Sequence, residues 1–164
     1  MPAFNIRPAI LILPGGGYAW CSRREADPVA MQFLQAGYNV FTLYYTCRSD
    51  ESVPALRWQP LIDAAGAILH IRRNAEQFGT DPAKIAICGF SAGGHLALSL
   101  LEAGFADEFL LHLAPRILGD NEAAPLFDGR SPLTMAEALD LRVCRTTLCD
   151  GDVHLQLRPA IPQE

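Results

Sequence analysis

The pattern Gly89-Phe90-Ser91-Ala92-Gly93 constrains this chain more than any other feature of it. It follows Lys84 to Cys88 (KIAIC), a short apolar run that reads as a strand. It precedes Ala92 to Ala103, which reads as a helix. A serine between glycines at such a junction implies a bend too tight for a flanking Cβ, with the serine backbone strained. The helix that follows points its free N–H groups at any oxyanion forming near the bend.

The rest of the first hundred residues supplies a sheet to carry that bend. Ala9 to Leu13 is a continuous apolar run closed by Pro14 and three glycines, the pattern of a buried parallel strand. Glu25 to Gln35 reads as a helix stopped at Ala36-Gly37, and Asn39 to Tyr45 (NVFTLYY) as a β-branched and aromatic strand. Arg48 to Pro60 reads as a loop, Leu61 to Phe78 as a helix closed by Gly79, and Thr80-Asp81-Pro82 as a turn. The alternation predicts an α/β fold of three αβα layers around a short, mostly parallel sheet.

Beyond Phe105 the pattern changes. Glu108 to Leu113 reads as a strand, Ala114 to Ser131 as a long loop and Thr134 to Leu139 as a short helical stretch. Arg142 to Leu148 and His154 to Arg158 alternate polar and apolar residues around Cys149-Asp150-Gly151-Asp152, and Asp-Gly there predicts an antiparallel hairpin at the C-terminus.

Composition narrows the function. At 164 residues, 50% hydrophobic and 19% charged, the chain suits a globular core. A net charge of −5 argues against a nucleic-acid partner, and the longest apolar runs are too short for a membrane span. Met1 to Arg7 does not resemble a secretory leader. The five cysteines are scattered, with no Cys-x-x-Cys pair, so neither a disulfide framework nor a zinc or other metal site is expected. A cytoplasmic location and no cofactor are the expectations.

Ser91 in this setting reads as a nucleophile. Gly15, Gly16 and Gly17 allow backbone amides to face a ligand without side-chain obstruction. A phosphate-binding loop is the rival reading, but the Lys-Ser/Thr of a P-loop and the spaced glycines of a dinucleotide fingerprint are missing. Tyr18 and Trp20 suit an acyl pocket or packing over the glycine loop, and Trp58 a lid or an anchor. Arg23, Arg24 and Glu25 read as a solvated helix start.

Three stretches, RPAILILPGGGY, READPVAMQFLQAGYNVFTLYY and DPAKIAICGFSAGGHLALSL, resemble the small bacterial serine esterases of the α/β-hydrolase superfamily, the acetyl-xylan-esterase-like and lipase-like group. The resemblance implies that Ser91 is the nucleophile, that Gly16, Gly17 and Ala92 are the oxyanion donors, and that the substrate is a small-molecule ester. Many relatives carry His where this chain has Pro14. Acid and base follow the serine in this superfamily. Beyond Ser91 lie His95, His112 and His154. His95 resembles the Gly-Gly-His that follows the bend in this group, where it is not the base, and His112 lies within a predicted strand. His154 and Asp150 stand as a candidate base and acid, but they follow one another too closely for the usual two-loop arrangement and both also suit a hairpin, so the base stays unidentified.

The tail resembles another family. SLLEAGFADEFLLHLAPRILGDNEAAPLFDG, SPLTMAEALDLRV and RTTLCDGDVHLQLRP are similar to the end of the riboflavin-biosynthesis reductase domain, whose fold is dihydrofolate-reductase-like. The implied organisation is a truncated α/β-hydrolase core over residues 1–103 and a reductase-like segment over 104–164, joined within Gly93 to Gly104. The expected function is ester hydrolysis. The alternatives are a non-catalytic chimeric fragment and a remnant of the reductase. Relatives have further strands before Ala9, so an exposed sheet edge could pair two copies as a homodimer.

Overall fold

The computed structural model describes residues 6–48, 56–117, 119 and 137–160. The chain divides into two units, Met1–Leu100 and Leu101–Glu164.

In the first unit, β1 (Arg7–Leu13) is the central strand of a parallel sheet ordered β2-β1-β3, with β2 at Asn39–Thr42 and β3 at Thr80–Gly89. Residues 9 to 13 of β1 are all buried. Side chains alternate across a strand. Ala9, Leu11 and Leu13 accordingly pack with Ala64, Ile68 and Ile71 of α2 (Gln59–Arg73) and with Leu96 and Leu100 of α4 (Ala92–Glu102). Ile10 and Ile12 are equally buried on the other face. Both faces of β1 are therefore covered, which its unbroken apolar run requires.

Several boundaries differ from the sequence expectations. The helix expected from Glu25 begins as a 3-10 turn at Arg23–Glu25, and α1 proper spans Asp27–Gln35, with Pro28 in its first turn. Gly37 beyond it adopts φ +91°, as the expected glycine stop requires. The strand expected to reach Tyr45 ends at Thr42, because Tyr45 turns inward and its hydroxyl donates to Pro14 O at 2.5 Å. The loop expected to reach Pro60 ends earlier: α2 starts at Gln59, since proline loses no helical hydrogen bond in a first turn. The single helix expected over 61–78 is interrupted at Asn74 and resumes as α3 (Ala75–Phe78), with Gly79 left-handed at φ +61°.

The turn expected at Thr80 to Pro82 lies inside β3. Arg7 pairs with Thr80 but Ala9 with Ile85, so β3 bulges between these partners. Asp81 supplies the local turn by accepting from Ala83 N at 3.0 Å. Asn39 ties the start of the strand down, donating to Phe78 O, Gly79 O and Thr80 Oγ1 at 2.6–3.0 Å.

The second unit holds an antiparallel sheet ordered β4-β6-β5, from β4 (Phe109–Leu113), β5 (Leu141–Cys149) and β6 (Asp152–Pro159). The hairpin forms as expected, and β4 completes its sheet. Arg158 donates to Glu108 through Nε at 3.0 Å and Nη2 at 2.9 Å across the β4–β6 pair. The expected loop at 114–131 and helical stretch at 134–139 lie mostly outside the described residues. Among the described residues, no helix is long and apolar enough to cross a membrane.

Candidate active site

The sheet topology points to one candidate site. The chain leaves β1 for β2 on one side and returns for β3 on the other, so the order reverses between β1 and β3. Ligands of open α/β sheets bind in the crevice at the carboxyl ends of strands that flank such a reversal. Leu13 pairs with Gly89, so the two strands end level. The glycine loop after one and the serine bend after the other are therefore neighbours.

The bend has the expected strain. Ser91 adopts φ +51°, where a non-glycine residue costs about 1–3 kcal/mol and persists only if its surroundings impose it. Phe90 N donates to Leu13 O at 3.1 Å and Gly93 N to Phe90 O at 2.8 Å. A Cβ on Gly93 would lie 1.9 Å from Leu13 O, and one on Gly89 2.2 Å from Gly93 O. No side chain fits at either position. Ser91 itself is exposed, and Ala92 is buried at the start of α4.

Opposite the bend, the glycine loop is folded on itself. Gly16 and Gly17 have φ +134° and +61°. Gly16 O accepts from Ala19 N at 3.0 Å, and Ser22 N donates to Gly15 O at 2.8 Å. Gly15 is the glycine that abuts the bend: a Cβ there would meet Ser91 Cβ at 2.9 Å and Phe90 O at 2.7 Å. Its amide donates to Glu25 Oε2 at 2.8 Å. Reading Glu25 as part of a solvated helix start misses this bond. Nothing in a local pattern marks a carboxylate that reaches ten residues back.

Tyr18 contributes a second contact that the sequence does not disclose. Its hydroxyl lies 2.8 Å from His95 Nδ1, with the rings edge-to-face at 5.9 Å. Burial, with the Cys47 sulfur adding to it, pushes the Tyr18 phenol up to about 12. Tyr18 and His95 border a cavity of about 400 Å³ that Gly17, Trp58, Leu61 and Leu96 also line. Trp58 thus walls a pocket at the start of α2.

The other predicted residues belong to the second unit. His154 lies on β6, paired with Thr147 on one side and His112 on the other, and its ring stacks on His112 at 4.0 Å. Asp150 sits in the β5–β6 turn at φ +49°. Among the described residues, no group of three or more metal-ligating side chains occurs.

The family model of BD-FAE, an α/β-hydrolase esterase family, matches residues 3–109. The chain belongs to the BD-FAE family. The model of the RibD C-terminal domain matches residues 89–155 and overlaps the first across 89–109. Endo-1,4-beta-xylanase B of Butyrivibrio fibrisolvens is 45% identical over 94 residues, which are 57% of this chain and 15% of that protein. Esterase LipQ of Mycobacterium tuberculosis is 30% identical over 92 residues, 55% of this chain and 21% of that one. Among solved structures, MGS-M1, an α/β hydrolase from a deep-sea metagenome library, superposes with a TM-score of 0.54 at 48% identity, covering 62% of this chain and 40% of its own. The chain covers 15%, 21% and 40% of these three proteins.

Proposed function

We propose that this protein is a serine ester hydrolase acting on small-molecule esters, with Ser91 as the nucleophile. The observation that carries the reading is the strained Ser91, held at φ +51° at the carboxyl end of β3 and packed against Gly15. The Ser91 hydroxyl attacks the ester carbonyl, and backbone amides receive the oxyanion. Gly15 has committed its amide to Glu25, so the donors in this reading are Gly16 and Gly17 with Ala92. The cavity beside Tyr18 and Trp58 takes the apolar part of the ester. Chain order supplies His154 as base and Asp150 as acid.

The test is hydrolysis of p-nitrophenyl acetate together with labelling by a fluorophosphonate probe. The reading expects both in the full chain and neither in Ser91→Ala. Equal rates in the two proteins would reject it. His154→Ala separately tests the base and should lower hydrolysis while leaving the first unit folded.

A second reading is favoured by the two matches that overlap across residues 89–109: the chain is a fusion whose hydrolase part lacks a working acid and base. It expects no stoichiometric labelling of Ser91. β2 and β3 are the edge strands of the parallel sheet, and in this reading a second copy pairs along one of them, which sedimentation at increasing concentration would detect.

A further inference from the structure

The sequence scatters its five cysteines, yet the fold gathers two of them. Cys21 Sγ lies 3.7 Å from Cys47 Sγ, and both thiols are directed at Tyr45 O, at 3.7 and 3.3 Å. The chain on each side is fixed. Ser22 N is bonded to Gly15 O, Arg48 N to Tyr18 O at 2.7 Å, and Thr46 N to Asp63 Oδ2 at 2.8 Å. Both cysteines are half-buried and pack on the edge of the core beneath the glycine loop. A disulfide bond is about 2.0 Å long, so the sulfurs are in contact without being joined. Rotation about each Cα–Cβ bond is the motion available to bring them together.

We propose that Cys21 and Cys47 form a thiol modification site that reacts with low-molecular-weight disulfides, such as oxidised glutathione, and closes into a protein disulfide. The Cys47 thiolate attacks one sulfur of the small disulfide and expels one thiolate. Cys21 then gives its proton to water and attacks the Cys47 sulfur of the mixed disulfide, expelling the second thiolate. Two protein thiols are oxidised and one small disulfide is reduced to two thiols. Burial and the hydrogen bond to Cys47 push the Cys21 thiol up to about 12, which leaves the first attack to Cys47. The bond ties the segment after the glycine loop to the segment after β2. It thereby restrains Tyr18, whose carbonyl accepts from Arg48 N and whose hydroxyl contacts His95.

The experiment is a titration of the full chain with mixtures of reduced and oxidised glutathione, followed by non-reducing peptide mapping. The expected product is a peptide pair joined through Cys21 and Cys47, with both glutathiones released. In Cys21→Ser the second step is removed, and a glutathione adduct should persist on Cys47. The oxidised native chain should melt roughly 5–10 °C higher than the reduced one, and reductant should reverse the change. Glutathione accumulating on Cys47 with Cys21 present, or both thiols staying reduced while the exposed Cys144 and Cys149 react, would overturn the proposal. Because the native pair is mapped directly, that outcome does not depend on whether the variant folds.

Discussion

The backbone amide of Gly15 donates to the Glu25 carboxylate at 2.8 Å, and a Cβ on the same glycine would meet both Glu25 Oε2, at 2.8 Å, and Ser91 Cβ, at 2.9 Å. One bond therefore fixes how closely the glycine loop approaches the serine bend. Glu25→Ala leaves the partly buried Gly15 amide without this acceptor, a loss of about 1–3 kcal/mol. Glu25→Gln retains an acceptor oxygen and should recover most of it. Urea midpoints measure the stability change. Fluorophosphonate labelling of Ser91 should fall in Glu25→Ala and return in Glu25→Gln. Equal labelling in both variants would remove the link between this bond and the bend.

Gly93 and Gly66 make opposite predictions from the same substitution. A Cβ on Gly93 would lie 1.9 Å from Leu13 O, in the backbone of the central strand. Gly93→Ala must therefore displace α4 or β1, at a cost of about 1–3 kcal/mol or more. Gly66 lies within α2 with nothing within 4 Å of its would-be Cβ. Gly66→Ala should stabilise by about 0.5–1 kcal/mol, because alanine loses less backbone freedom in a helix. Thermal melts of the two variants decide the matter, and a destabilised Gly66→Ala would contradict the open space around α2.

Those two glycines also show what the sequence can disclose. Gly93 belongs to a contiguous pattern with one geometric solution, so the bend, its strand and its helix are all legible. Ala9 to Leu13 is legible as a central strand because burial on both faces leaves an unbroken apolar run. What escapes is set by distant partners. Thr80 to Pro82 has turn chemistry, yet pairing with Arg7 absorbs it into β3 as a bulge. Tyr45 has a strand-forming neighbourhood, yet its hydroxyl seeks Pro14 O. Glu25, Tyr18, Cys21 and Cys47 gain their roles from contacts across ten to seventy-seven positions, which no local spacing encodes.

Alkaline pH should weaken the fold through the cluster around Tyr18. Burial, with Cys47 second, raises its phenol from 10.0 to about 12, and Cys21 rises from 9.0 to about 12. Tyr45 shifts in the same direction, mainly by burial. The folded chain thus keeps protons that the unfolded chain releases, so stability falls as pH rises through this window. The contribution is fully present below about pH 9 and lost through about pH 12. Urea midpoints recorded over this range should fall steadily. Tyr18→Phe should flatten the part above about pH 10, and should cost about 0.5–1.5 kcal/mol near neutrality through the lost bond to His95.

The β5–β6 turn separates two roles that Asp150 could hold. Asp150 and Gly151 both have positive φ, +49° and +92°, as a two-residue hairpin turn of the primed type I requires. Gly151→Ala forces a Cβ into that region and should cost about 1–2 kcal/mol. Asparagine tolerates the same backbone as aspartate, so Asp150→Asn should keep stability within about 0.5 kcal/mol. It also removes the carboxylate, leaving a neutral amide on an unchanged hairpin. If Asp150 is the acid that orients the base, hydrolysis of p-nitrophenyl acetate should drop by about 10²–10⁴-fold in this variant with the melting temperature unmoved. An unchanged rate would make Asp150 a turn residue alone and require the acid to come from elsewhere in the chain.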